Sequence, residues 1–167
     1  MKKIILLAAV ALISLSVVNA QEFQRGDWAA NVGISLSHTD PLVFGGSVEH
    51  GIIDNVFDLS GFTFGLGAEL GFASKTVHGF TVSSLMIGVR APFHYSPVGN
   101  LDLYTAPGIY HVSAKGSVLG ISSTTSKMQF GWTLIGARYF LSSNVGAFVE
   151  LGFDTPFEMG AGVTFRF

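Results

Sequence analysis

Cysteine is absent from the 167 residues, so no disulfide framework, no cysteine-ligated metal site and no thiol-linked lipid anchor is expected. Charge is scarce too. Nine Lys and Arg stand against eleven Asp and Glu, a formal net charge of -2, which leaves no basic footprint for nucleic acid and no polybasic patch for anionic lipid. Long apolar runs are missing except at residues 4–18, and that run falls short of the roughly 20 residues a spanning helix needs. Lys2 and Lys3 precede it, and Val18-Asn19-Ala20 follows with small residues at the two positions a signal peptidase reads. Residues 1–20 therefore read as a cleaved secretory signal and residues 21–167 as one domain, whose formal charge without the two lysines is -4.

What is abundant is glycine, phenylalanine and a period of two. The last eleven residues put Phe157, Met159, Ala161, Val163, Phe165 and Phe167 on one face and Glu158, Gly160, Gly162, Thr164 and Arg166 on the other. Residues 62–72, 145–153, 28–36 and 85–95 repeat the scheme, with Leu66, Leu151, Val32 and Val89 on the apolar faces and Glu69, Glu150, Asn31 and Arg90 on the polar ones. Residues 43–51 alternate loosely, residues 101–112 are apolar on both faces, and residues 128–140 change phase. A β-bulge near Leu134 would bring Phe130 and Trp132 onto the face of Ile135 and Ala137.

A strand that is greasy on one side needs a cover, and lipid is the cover for a closed barrel, the only sheet that satisfies its whole backbone in hydrocarbon. The expected fold is all-β: a closed, antiparallel, up-and-down, eight-stranded transmembrane barrel. Turn residues at 53–55, 96–100 and 142–144 mark the side holding both chain ends, and residues 38–42, 74–79, 116–126 and 154–156 mark the other. Trp28, Phe93, Tyr95, Tyr139, Phe140 and Phe167 on the first side, with Phe72, Phe153 and Phe157 on the second, are read as the two aromatic girdles.

The segments at 48–55 (VEHGIIDN), 88–90 (GVR), 101–104 (LDLY), 136–140 (GARYF) and 146–152 (GAFVELG) resemble small outer-membrane β-barrel proteins of the OmpX/OmpA-barrel kind, as found in Bacteroidetes-type bacteria. The likeness covers nearly all of residues 21–167. It implies an integral protein of a Gram-negative outer membrane, surrounded by lipid and lipopolysaccharide, inserted by the outer-membrane assembly machinery, and monomeric. Phe165 and Phe167 would carry the carboxyl-terminal signal that this machinery reads. Residues 55–61 are longer than the matching turn of that family, and the resemblance carries no activity.

Seven charges fall on the polar faces: Glu49, Glu69, Arg90, Arg138, Glu150, Glu158 and Arg166. Mixed signs in a narrow lumen imply paired side chains that fill it, since unpaired buried charge is costly. The competing reading is a narrow, weakly permeable, porin-like constriction. Glycines such as Gly65, Gly67, Gly88, Gly160 and Gly162 either leave cavities or make room for large side chains such as Phe148 and Met86.

Other chemistry fits less well. His111 and Ser113 share a face, like the His-x-Ser pair of lipid A deacylases, but no orienting carboxylate lies in the loop that follows. His38, His50, His78 and His94 have no metal-ligand spacing, and Gly65, Gly67 and Gly71 sit in a strand with no helix after it, which removes the dinucleotide reading. No catalytic residue, metal or cofactor is expected. Surface adhesion through the uncharged 116–126 loop is one alternative, and a soluble lipocalin-like carrier with an apolar interior is another.

Overall fold

The computed structural model describes residues 23–37, 42–78, 80–118 and 121–167, so the expected signal at residues 1–20 lies outside the described residues. Nine strand segments follow in order: β1 Trp28–Leu36, β2 Val43–Asp54, β3 Phe62–Val77, β4 Phe80–Arg90, β5 Phe93–Val98, β6 Leu101–Val118, β7 Ile121–Phe140, β8 Val145–Phe153 and β9 Met159–Arg166. Segments β4 and β5 both lie between β3 and β6 and form one wall strand. The ladder breaks at Ala91-Pro92, because proline has no N–H to donate, yet the in-and-out phase continues through the break. Every pairing is antiparallel, and β1 meets β9, with Val32 opposite Val163, to close an eight-stranded ring.

The faces sort as the alternation requires. Leu151 is 49% exposed on the outside of the ring, whereas Glu69, on the inside, is 2% exposed. Val32, Leu66, Leu70, Val89, Val149 and Val163 join Leu151 in an exposed aliphatic belt. A belt of that extent would be an aggregation hazard in water and is the expected surface in lipid. A soluble carrier would have the opposite polarity.

The bulge expected near Leu134 is present. The β7–β8 register shifts between Thr133 and Ile135, so Leu134 and Ile135 both face outward and the two phases of β7 become one apolar face. The β6–β7 register shifts at the same level, between Tyr104 and Ala106. There the Thr105 hydroxyl donates to the Thr133 carbonyl at 3.0 Å and accepts from the Trp132 indole at 2.8 Å. A hydroxyl on the outer face is thereby satisfied without water.

Three expectations need correction. Residues 74–79 and 116–126 are largely strand: β3 and β4 pair as far as Val77 with Phe80, and β6 and β7 as far as Val118 with Ile121. The Ser/Thr richness that suggested loops belongs instead to solvated strands, cross-linked by Ser74 with Ser83 at 3.0 Å and Thr76 with Thr81 at 2.9 Å. Phe140 leaves the proposed girdle, because past the bulge it shares the inward parity of Arg138. Phe157 leaves it too: β9 begins only at Met159, and the preceding residues fold the ring into the barrel, where it is fully buried. Residues 55–61 do hold an elongated turn, with a short 3-10 segment Val56–Asp58 and left-handed Asn55, Phe57 and Asp58.

Candidate functional site

Five of the seven expected lumen charges meet in one cluster, because β2, β3, β4, β7 and β8 all present an inward position at the same depth. Arg90 is the hub. Its Nη1 lies 3.0 Å from Glu150 and 3.4 Å from Glu69, and its Nη2 lies 3.1 Å from Glu49 and donates at 3.1 Å to the Ser47 hydroxyl. Arg138 ion-pairs with Glu49, reaches Asp102 at 2.9 Å through Nη1, and donates from Nε to the Asn31 side-chain oxygen at 3.2 Å. Both guanidinium side chains and the carboxylates of Glu49, Glu69 and Glu150 are fully shielded from solvent.

The remaining two charges lie elsewhere. Glu158 is half-buried at the loop-side end, where its carboxylate accepts the Asp154 N–H at 3.3 Å. Arg166 lies at the opposite end, donating to the Ser143 carbonyl at 3.0 Å with its guanidinium 4.3 Å from the centre of the Phe140 ring. Strand alternation gives the face of a residue and not its depth, so Glu158 and Arg166 share an inward parity with the cluster without reaching it.

Several members of the cluster were missed in the sequence. Asp102 pairs with Arg138 and lies 3.0 Å from His94 Nδ1; Tyr104 donates its hydroxyl to Glu150 and carries Arg138 4.3 Å over its ring; Tyr110 donates to Glu69 at 2.9 Å. All but His94 come from β6, which looked apolar on both faces because Asp102 is the one charge among its inward positions. The signal was available: with Leu101, Leu103 and Ile109 facing out, Asp102, Tyr104 and Tyr110 had to face in.

Inward glycines make room for these side chains. A Cβ on Gly108 would stand 2.8 Å from the Tyr110 ring, and one on Gly160 would stand 2.6 Å from the Phe157 ring. Phe157 meets Phe148 edge-on at 5.3 Å on the loop side of the cluster, and Phe23 lies 4.4 Å from the His94 ring on the side of the chain ends. Each buried ion gives up several kcal/mol of hydration, so the removal of one member of the cluster strands its partners in a dry interior. Among the described residues no set of three or more His, Asp or Glu is spaced to hold a metal ion.

The closed ring, the aliphatic exterior and the charged interior define an integral outer-membrane β-barrel of the small, eight-stranded class, the OmpX/OmpA-like architecture. No protein-family model and no curated protein matches the sequence. Solved structures do match. The N-terminal β-barrel domain of Pseudomonas aeruginosa OprF superposes with a TM-score of 0.62 at 18% identity, over 86% of this chain and 98% of that one. Ail, the attachment invasion locus protein of Yersinia pestis, gives 0.55 at 14% identity over 86% and 100% of the two chains, and Neisserial surface protein A gives 0.51 at 17% over 84% and 94%. The likeness is one of fold.

Proposed function

We propose that the protein is a structural barrel of the outer membrane whose lumen is closed to passage, without catalytic activity. The observation that carries this reading is the stacking of three fillings along the axis: Phe23, then the Arg90–Arg138 cluster with Tyr104 and Tyr110, then Phe148 and Phe157, each nearly or wholly buried. Eight strands leave an interior that side chains can fill, and aqueous channels belong to much larger barrels. Purified protein in a planar lipid bilayer is expected to give no current steps under an applied voltage. Stable openings, even small ones, would replace this reading with that of a narrow channel.

The same reading makes lipid and lipopolysaccharide the surroundings of a monomer, and the outward-facing Phe165 and Phe167 the residues offered to the assembly machinery. Phe167 also exchanges backbone hydrogen bonds with Trp28 at 2.9 and 3.2 Å, so the segment that would be read at insertion closes the ring afterwards. His111 faces outward between Ile87 and Met128, with no hydrogen bond to a carboxylate among the described residues, which supports a surface histidine over a hydrolase. Contact with other surfaces through the 116–126 hairpin is the second reading, supported by its reach beyond the shorter strands β1, β2, β8 and β9.

A further inference from the structure

Polarity inverts along the barrel wall. In the lower part of β4, Leu85, Ile87 and Val89 face out while Gly88 and Arg90 face in; further along the same strand Thr81 and Ser83 face out while Val82 and Met86 face in. The change repeats on β6, where Ile109 faces out below but Ser113, Lys115 and Ser117 face out above, with Val112 and Ala114 turned inward. A Ser/Thr exterior does not belong in hydrocarbon, so this part of the wall stands in water beyond the membrane. On β4 and β6 the concave side is the more apolar, with Val82, Met86, Val112 and Ala114 beside Ser84, while β7 lines it with Thr125, Lys127 and Gln129. Among the described residues the wall is high on the β3–β4–β6–β7 side, while β1 ends at Leu36 and β8 at Phe153, and a cavity of about 350 Å³ opens between that side and Val43 with the 154–158 loop. A second space of about 370 Å³ adjoins it at Ala114, lined by Phe80 and Ile121. Pockets of that size and lining are ordinary for small ligands.

Charge selects among apolar ligands. Lys127 lines the cavity, its Cα opposite that of Val112, and among the described residues it pairs with no carboxylate. Glu158 and Asp154, both from the 154–158 loop, put two carboxylates in the same lining, and Glu158 accepts the Asp154 N–H at 3.3 Å. We propose that this cup, on the loop side of the barrel, is a binding site for a single-chain fatty acid anion, with the alkyl chain against Val82, Met86, Val112 and Ala114 and the carboxylate on Lys127. None of the side chains that fill the lumen lines this site, so it does not depend on whether the lumen conducts.

Methionine supplies an internal control. After residue 20 the sequence has three: Met86 in the cup, and Met128 and Met159 on the outer surface. Protein labelled at the methionine methyls, held in lipid nanodiscs and titrated with decanoate, is expected to show a saturable shift of the Met86 methyl, with Met128 and Met159 drifting only in proportion to added decanoate. Lys127→Gln is expected to weaken decanoate binding about fivefold, the upper range for an exposed ion pair, and to leave the midpoint for uncharged decanol unchanged. A silent Met86, three methyls that drift together as they would if decanoate only dissolved in the bilayer, or equal effects of Lys127→Gln on decanoate and decanol would each overturn the proposal. Conductance reads the lumen and these methyls read the cup, so the two readings fail separately.

Discussion

With methionine in place of Arg90, the barrel is expected to lose about 3–5 kcal/mol of stability, the usual cost of removing one partner from a buried ion pair. Among the described residues, Arg90 is the only group that touches all three of Glu49, Glu69 and Glu150. Without it Glu49 keeps Arg138, while Glu69 and Glu150 keep the hydroxyls of Tyr110 and Tyr104. Two carboxylates then share a dry interior with no cation beside them. The loss is readable as a lower urea midpoint for protein folded into lipid vesicles. Adding Glu69→Gln and Glu150→Gln to Arg90→Met is expected to restore most of it, because the triple variant removes the stranded charge together with its partner. A single Arg90→Met variant within 1 kcal/mol of the unaltered protein, a cost typical of exposed pairs, would mean that the cluster is wet.

Opening the lumen should require all three fillings to be cut. The combination Phe23→Ala, Tyr104→Ala and Phe157→Ala removes one ring from each level and is expected to turn a silent barrel into one with discrete current steps. Any one of the three alone is expected to stay silent, since two levels still fill the interior of an eight-stranded ring. The current through the triple variant should favour cations: Glu49, Glu69, Glu150 and Asp102 line the cluster against only Arg90 and Arg138 as permanent cations. Anion preference would mean that another part of the wall sets the field.

Period-two alternation made the architecture legible in the sequence, because a barrel wall keeps one face in lipid for as long as it crosses the membrane. The bulge at Leu134 was legible for the same reason: two apolar parities on β7 can share one face only if a residue is inserted. Depth was not legible. Glu158 and Glu150 look alike as inward acids, yet only Glu150 reaches Arg90, since depth depends on the stagger between strands and no single strand encodes it. The outer ends of the strands were misread as well. The Ser/Thr segments look like loops because solvated strand and loop have similar composition, and their pairing partners became visible only with the register. Phe157 misled through a local accident: it shares the parity of β9 without being part of it.

The chain has no cysteine, so a single introduced thiol can carry a spin label at any chosen position. The most direct test of the account places one label at Val149→Cys, on the exposed face of β8, and another, in a second protein, at Thr164→Cys on the buried face of β9, then compares relaxation by oxygen, which concentrates in hydrocarbon, with relaxation by a water-soluble nickel chelate. At position 149 strong oxygen access and little nickel access are predicted, and at position 164 little of either. Nickel reaching the label at 149, or oxygen reaching the one at 164 as readily as the one at 149, would contradict a barrel whose aliphatic face lies in lipid around a filled, charged interior.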